Sequence, residues 1–218
     1  MASPLLLLQR KPERDSVREK LALGAKKLAE LIEKSQLVIK AQESDRSKDF
    51  RQSQQFGGRI DLTLGDDTGE KVVIDLKWSN DARYKREELK KGEALQLAAY
   101  AWLLQDRKTP FPAGAYYMLA QSELVSSQCQ FFPPQCVFSS VDLNSIWSKS
   151  VEIYEQRLQE LQSGVLRAEG IALKEDQSSA TTNNSDPDQV SDPEALNLVP
   201  KCNFCDFANL CGIGGQAK

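Results

Sequence analysis

The stretch that decides the fold is GGRIDLTL (residues 57–64), followed by GDDTG (65–69) and then KVVIDLKW (71–78). Apolar and polar residues alternate with a period of two in both arms, which is typical of half-buried β-strands. The Asp-Asp-Thr-Gly between them favours a tight turn. The sequence therefore predicts a β-hairpin over residues 57–78 that reverses near residue 68.

A reversal near residue 68 would sort the hairpin side chains onto two faces. One face is apolar and pairs residues of the two arms: Ile60 with Leu76, Leu62 with Ile74, and Leu64 with Val72. On the other face Asp61 lies opposite Asp75, and Lys77 follows two residues later. Side chains that oppose each other across a strand pair are roughly 5 Å apart at Cβ. Two carboxylates at that spacing can share one divalent cation.

These residue types fit metal-dependent hydrolysis of a phosphodiester. Paired carboxylates repel each other until a positive charge neutralises them, and Mg²⁺ binds carboxylate oxygens while it accepts water and phosphate oxygens. Such a cation can activate a water and polarise a phosphodiester, and a nearby lysine can stabilise the developing charge. The alternative is an ordinary solvent-exposed hairpin face, on which Asp75 and Lys77 are merely solvated.

A second pattern follows the hairpin. Gln96 and Tyr100 are four residues apart in a predicted helix, so they share one of its faces. In order, GRIDLTL, VIDLKW and ALQLAAY resemble the G-x-x-D strand, the D-x-K strand and the Q-x-x-x-Y helix of the RecB-like branch of the PD-(D/E)XK nuclease superfamily. The resemblance spans residues 57–100. It implies a restriction-endonuclease-like α/β core, in which helices flank a central mixed β-sheet.

The same resemblance implies roles for individual residues. Asp61 and Asp75 would bind Mg²⁺ or Mn²⁺, and the backbone carbonyl of Leu76 would be a further ligand. Lys77 would be the catalytic lysine. Gln96 and Tyr100 would complete the catalytic set, where they would brace the site or contact the DNA backbone.

The family also places an acid or a histidine on a helix before the first strand. This chain contains no histidine. The candidates are therefore acids: Glu30 or Glu33, on a helix predicted from an apolar stripe, and Glu43, just before the hairpin.

Basic residues cluster between the D-x-K strand and Gln96, where they would contact DNA phosphates: Arg83, Lys85, Arg86, Lys90 and Lys91. The alternative is a solvated helix start. The net charge of −3 and the pI of about 5.3 argue against a strongly basic, non-specific DNA binder. They do not exclude a nuclease, because acidic metal ligands contribute to the negative charge.

The C-terminal tail carries Cys202, Cys205 and Cys211 in a C-x2-C-x5-C pattern. Thiolates this close together indicate a metal or cluster site, and both zinc and iron–sulfur sites usually need a fourth ligand. An iron–sulfur subgroup of the resembled nucleases, which includes the AddB subunit of helicase–nucleases and a CRISPR-associated exonuclease, has this triplet. The resemblance therefore implies a [4Fe–4S] cluster. The subgroup's fourth cysteine precedes the core, whereas no cysteine precedes Cys129 here. Cys129 and Cys136 follow the core helix, where the family has no cluster ligand. The chain is therefore either a piece of a longer protein, or its cluster is incomplete or lost.

Length and composition predict one soluble domain with a tail. The 218 residues contain 40% hydrophobic and 27% charged residues. No apolar run approaches the roughly 20 residues that span a bilayer, and Leu5–Leu8 lacks the features of a signal peptide, so a cytoplasmic location is expected. The predicted division is a nuclease core with flanking helices (1–172), a flexible linker (173–198) and a cysteine-rich tail that packs on the core (199–218). The predicted elements besides the hairpin are helices over 13–34, 86–105 and 145–162 and strands over 36–41, 113–119 and 136–138.

The functional prediction is a Mg²⁺- or Mn²⁺-dependent DNA nuclease. The resemblance implies an exonuclease that works with a helicase, or with the helicase region of a longer chain, in DNA repair and recombination. Two alternatives stay open at this level: a CRISPR-adaptation exonuclease, and a catalytically inactive module that binds DNA or a partner.

Overall fold

The protein forms a five-stranded mixed sheet in the order β1-β2-β3-β4-β5. The computed structural model describes residues 11–51, 54–106, 110–127, 130–132 and 141–165. Its elements are α1 (Lys11–Ser35), β1 (Val38–Asp49), β2 (Gln55–Asp66), β3 (Gly69–Lys77), α2 (Arg83–Lys90), α3 (Leu95–Leu104), β4 (Ala113–Met118), β5 (Glu123–Ser126) and α4 (Leu143–Gln162). A mixed sheet with flanking helices confirms the predicted α/β fold class.

The predicted hairpin forms, and its register is the predicted one from Leu62 to Leu64; it then shifts by one residue, so that Gly65 pairs with Glu70 beside the turn. β2 and β3 pair antiparallel, with Leu62 opposite Ile74 and Leu64 opposite Val72. At the turn the Asp66 carboxylate accepts hydrogen bonds from the Thr68 N–H (2.8 Å) and hydroxyl (2.6 Å). The predicted pair of Ile60 with Leu76 is wrong, because the β2–β3 ladder of these described strands ends at Leu62 and Ile74.

Two predicted elements differ from the structure. The strand expected over 36–41 is the twelve-residue β1, whose sequence VIKAQESDRSKD is mostly polar and exposed, so it gives no apolar signal for its second half. The single helix expected over 86–105 is two helices, α2 and α3. The break lies at Gly92, whose φ of +68° an L-residue rarely adopts and which therefore ends a helix.

The remaining predicted elements are mixed in outcome. The helix predicted over 13–34 is α1, and the strand over 113–119 is β4. The helix predicted over 145–162 is α4, which Asp142 caps by accepting from the Ser145 N–H (2.8 Å). β5 was not predicted as a strand. The strand proposed over 136–138 lies outside the described residues.

Helices α1 and α3 lie on opposite faces of the sheet. On the α1 face, a core of strand residues packs against Leu28, Leu31 and Ile32: Leu62, Leu64, Val72, Ile74, Ala115 and Tyr117. The Tyr117 hydroxyl donates to the Gly24 carbonyl of α1 (2.6 Å). On the α3 face, Gly114 of β4 leaves no room for a side chain, since a Cβ there would lie 3.1 Å from the Cβ of Leu97.

An aromatic cluster anchors α3 at its C-terminal end. The Trp102 ring stacks on Trp147 with the ring centroids 4.8 Å apart, and it meets Phe50 and Phe56 edge-on. The Lys48 ammonium donates to the Trp102 carbonyl (3.0 Å), where a cation offsets the negative end of the helix dipole. These contacts fix the position of the helix that carries Gln96 and Tyr100.

The chain divides into two compact units, residues 1–149 and 150–218. The first unit contains the sheet and the helices α1 to α3. The described part of the second unit is the C-terminal portion of α4 and the residues up to 165. The predicted boundaries at 172/173 and 198/199 lie outside the described residues and stay predictions. Among the helices that the structure describes, none combines the length and apolar character needed to cross a membrane.

Candidate active site

The centre of the sheet brings together an acid and a lysine on the α3 face. Asp75 and Lys77 are two residues apart on β3, so their side chains share a face. Asp75 is 2% exposed. The Lys77 ammonium lies 2.8 Å from Asp75 Oδ2. A buried carboxylate therefore has its ion-pair partner on the same strand.

Helix α3 adds an amide and a phenol to this pair. The Lys77 ammonium donates to Gln96 Oε1 (3.1 Å), and the Gln96 amide nitrogen donates to the Tyr100 hydroxyl oxygen (3.1 Å). Helix and strand approach closely because Gly58 of β2 lies beneath Tyr100, where a Cβ would be 3.1 Å from the ring. Four of the predicted residues thus form one continuous network: Asp75, Lys77, Gln96 and Tyr100.

Asp61 reaches β3 at the point where the β2–β3 ladder ends. Its Oδ2 accepts a hydrogen bond from the backbone N–H of Leu76 (2.8 Å), the residue between Asp75 and Lys77. Asp61 also lines a pocket of about 530 Å³ together with Leu76 and apolar residues of α1. Asp75 is not among the residues that line it. The structure therefore places the two acids on neighbouring strands, with Asp61 accessible from the α1 side.

Burial raises the pKa of the Asp75 carboxyl above its ordinary value of 3.8. Lys77 opposes this change, and the negative charge of Asp61 raises the pKa further. Asp75 Oδ2 is paired with the Lys77 ammonium 2.8 Å away, and no other donor among the described residues forms a hydrogen bond with this buried oxygen. Both the repulsion and the incompletely satisfied oxygen call for additional positive charge at Asp75.

The donor set fits a hard divalent cation. Asp61 and Asp75 offer only carboxylate oxygens, the ligands that Mg²⁺ and Mn²⁺ accept. Among the described residues, no three or more His, Cys, Asp or Glu side chains are grouped to hold a metal. Mg²⁺ usually takes one or two carboxylates and completes its shell with water and substrate phosphate, so two acids suffice. The roles assigned to the motif residues, including the Leu76 carbonyl, stay predictions.

The third acid is the least defined part of the site. Neither Glu30 nor Glu33 of α1 lines the pocket that contains Asp61; the α1 residues that do are Ala25, Leu28, Ala29 and Ile32. Glu43 of β1 does line it. Its φ of +45° is unusual for a residue other than glycine. Its neighbours Gln42 and Ser44 pair with Leu62 and Ile60, which places Glu43 across from Asp61.

Carboxylates neutralise much of the predicted basic cluster. Arg83 pairs with Asp81 (2.6 Å) and Lys90 with Glu87 (2.9 Å) on the surface. Two further pairs are Lys85 with Glu88 (2.5 Å) and Arg86 with Glu123. Exposed pairs of this kind are weak, so a DNA phosphate can compete for the cations. Lys91 is the C-cap residue of α2.

Sequence reasoning missed two residues beside Asp75. The hydroxyl of Tyr116, which is fully buried, donates to Glu88 Oε1. Tyr116 is the neighbour of Asp75 in the parallel pairing of β3 with β4. Burial and the Glu88 carboxylate raise the pKa of Tyr116 far above its usual range, so its hydroxyl stays a proton donor. No sequence pattern marks this contact, because it depends on which strand lies beside β3.

The cysteines that suggested a cluster lie outside the described residues: Cys129, Cys136, Cys202, Cys205 and Cys211. Their predicted roles stay predictions.

Comparison with known protein families gives a match over most of the chain. The family model described as the PD-(D/E)XK nuclease superfamily matches residues 4–212, nearly the whole chain. No curated protein and no solved structure gives a significant match. The family match covers all three motifs and the five strands that position them. The chain therefore belongs to the PD-(D/E)XK nuclease superfamily.

Proposed function

We propose that this nuclease is a divalent-metal-dependent deoxyribonuclease of the RecB-like branch, which acts as an exonuclease. The single observation that supports this most is the state of Asp75. It is buried, paired with Lys77, close enough to Asp61 for that charge to raise its pKa, and left with an oxygen that lacks any other hydrogen-bond donor among the described residues. A site that only stabilised the fold would satisfy this oxygen fully.

In the proposed mechanism, Asp61 and Asp75 hold Mg²⁺ or Mn²⁺. When bound, the cation withdraws charge from the scissile phosphodiester and lowers the pKa of a water. Lys77 offers its ammonium beside Asp75, where it stabilises negative charge that develops on the phosphate. Gln96 accepts a hydrogen bond from Lys77 and so limits the positions of its ammonium. Tyr100 in turn holds the Gln96 amide.

The finer assignments rest on the resemblance of the three motifs to the RecB-like branch. They are a helicase partner, a role in repair and recombination, and a [4Fe–4S] cluster on Cys202, Cys205 and Cys211. The division into a core (1–172), a linker (173–198) and a tail that packs on the core (199–218) belongs to the same proposal. Protein purified without oxygen should be brown if the cluster is present, with absorption near roughly 400 nm. Colourless, iron-free protein would contradict the cluster without touching the nuclease site.

The test is degradation of linear and closed-circular DNA of the same sequence by the full chain. We expect linear DNA to be degraded with Mg²⁺ or Mn²⁺, closed circles to survive, and EDTA to stop the reaction. Asp75→Ala should abolish cleavage. Asp67→Ala, in the exposed turn of the same hairpin, is the matched control and should cleave like the parent. Cleavage of circles would contradict the exonuclease assignment, and full activity of Asp75→Ala would contradict the site.

A further inference from the structure

One of the five predicted DNA-contacting cations lies directly over the active-site face. The Lys85 ammonium is 4.3 Å from the centroid of the Tyr116 ring, and 2.5 Å from Glu88 Oε2. Its side chain is 24% exposed, so it is partly covered yet open to a ligand. Arg83 and Lys90, by comparison, are 87% and 54% exposed and pair with surface acids.

The sheet order places Lys85 beside Asp75, on the side away from Asp61. Asp75 and Tyr116 are partners in the parallel β3–β4 pairing, so their side chains leave the sheet on the same face. Asp61 is on β2, the other neighbour of β3. Lys85 is also close enough to lower the pKa of Asp75. The strand order is therefore that of Asp61 on β2, Asp75 on β3 and Tyr116 on β4, with Lys85 over Tyr116 on the α3 face and Asp61 open to the α1 side.

The contacts of Glu88 hold Lys85 in place and allow it to change partners. One Glu88 oxygen accepts from the Tyr116 hydroxyl, and the other pairs with Lys85. If the Lys85 ammonium turned to a phosphate, Glu88 would keep the Tyr116 hydrogen bond. Glu88 would then keep one hydrogen bond and its partial contact with solvent, which lessens but does not remove the cost of separating a partly buried ion pair.

We propose that Lys85 binds the DNA phosphate next to the scissile one, and that Glu88 is its positioning residue. This rests on the proposed nuclease function, because the scissile phosphate is placed at Asp61 and Asp75. The neighbouring phosphate then lies over β4, where the Lys85 ammonium is held. Tyr116 supplies an apolar and electron-rich surface under the ammonium and fixes the carboxylate that aims it.

The test compares Lys85→Met, Lys85→Arg and the control Lys27→Met, each in the full chain; Lys27 is exposed on α1, on the opposite face of the sheet. Methionine retains the unbranched stem over Tyr116 but removes the charge. Binding of fluorescein-labelled linear DNA is measured by anisotropy in an Asp75→Asn background, which prevents cleavage. We expect Lys85→Met to weaken binding roughly tenfold, as the loss of a charge-assisted hydrogen bond does, and to reduce the salt dependence by about one phosphate contact. Lys85→Arg should recover most of the affinity, and Lys27→Met should change little.

The second readout is single-turnover cleavage by the same variants with the native Asp75 in place. Lys85→Met should slow it by a similar factor at subsaturating enzyme. Glu88→Gln, which keeps an acceptor for Tyr116 but releases Lys85, should weaken DNA binding by a few-fold. Tighter binding of Glu88→Gln would overturn the positioning role, because it would mean that the acid only repels DNA.

The proposal is overturned if Lys85→Met binds DNA as Lys27→Met does, or with an unchanged salt dependence. A parent protein that fails to cleave DNA with any divalent cation would count against the proposed function instead. In that case the anisotropy measurements still decide whether Lys85 contacts DNA.

Discussion

The two halves of the β2–β3 hairpin differ in what they do. On the turn side, Leu62 pairs with Ile74 and Leu64 with Val72, and these four residues are buried against α1. At the open end the ladder stops, and the Leu76 N–H donates to the Asp61 side chain instead of to a backbone carbonyl of β2. One half thus stabilises the fold through apolar burial, and the other places two acids and a lysine where backbone pairing has ended.

The comparison shows where the structure accepts an energetic penalty. The turn half has apolar side chains in a closed core, each worth about 1.5–3 kcal/mol of burial. The open half buries Asp75 with a raised pKa and an incompletely satisfied oxygen, which is unfavourable for folding. We therefore expect substitutions in the two halves to separate stability from cleavage.

The largest effect is expected at Asp61, where two substitutions differ in one contact. Asp61→Asn keeps an oxygen for the Leu76 N–H but removes a metal ligand, so cleavage should fall by on the order of 10³-fold with little change in stability. Asp61→Ala should lose as much cleavage and also about 1–3 kcal/mol of stability, because the Leu76 N–H is left unpaired. Urea unfolding and single-turnover cleavage measure both. Equal stability of the two variants would contradict the structural role of this hydrogen bond.

In the turn half, Ile74→Ala should have the opposite signature. Ile74 is fully buried, and truncation of a buried isoleucine costs about 2–5 kcal/mol. Cleavage per folded molecule should stay near the parent value when assayed well below the unfolding midpoint. A large loss of cleavage in molecules shown to be folded by circular dichroism would mean that the halves are not separable.

A smaller effect concerns pH and Asp75. Its raised pKa means that the folded state keeps the proton to a higher pH than the unfolded state, so its contribution to stability falls as pH rises above about 3.8. The Asp75→Asn variant has no carboxyl at this position, so it does not lose this stability as the pH rises. In EDTA, its thermal midpoint should therefore exceed that of the parent by a few degrees at pH 8, and the excess should fall as the pH approaches 3.8. Addition of Mg²⁺ should stabilise the parent and not the variant; a midpoint difference that shrinks with rising pH would contradict the burial argument.

The smallest effect is expected at the turn itself. Hydrogen bonds from Thr68 hold the pKa of Asp66 below its ordinary value of 3.8. The stabilisation is therefore present above that pH and is lost as pH falls through the lowered pKa. Asp66→Ala should lower the thermal midpoint slightly at pH 7 and not at pH 2, without any change in cleavage. An equal loss at both pH values would assign the effect to packing rather than to the carboxylate.

Much of the hairpin could be predicted because its information is local. Alternation in both arms and the Asp-Asp-Thr-Gly turn determine the register, and the register places Asp61 and Asp75 on neighbouring strands. The same logic overextended the ladder to Ile60 and Leu76, because alternation does not reveal where a side chain replaces a backbone partner. The shared helical face of Gln96 and Tyr100 on α3 could likewise be predicted, since positions four apart in a helix share a face.

The rest of the site depends on contacts that no local pattern encodes. β1 is an edge strand that pairs with one neighbour only, and nothing in the composition of its polar second half distinguishes that half from a loop. The position of Lys85 above Tyr116 exists because β4, and not another strand, lies parallel to β3. Residues 78–112 connect these two strands, and their path cannot be deduced from the periodicity of either one.

The parallel pairing of β3 with β4 also bears on the order of assembly during synthesis. β1, β2 and β3 are joined by short antiparallel connections and can pair as soon as Lys77 has left the ribosome. β4 must wait for the crossover through α2 and α3, and non-local parallel contacts form slowly. In a nascent chain, Asp61 and Asp75 would therefore come together before Tyr116 is in place to donate its hydrogen bond to Glu88. The proposed contact of Lys85 with a DNA phosphate would therefore form late in synthesis. An incomplete chain would then not bind DNA tightly.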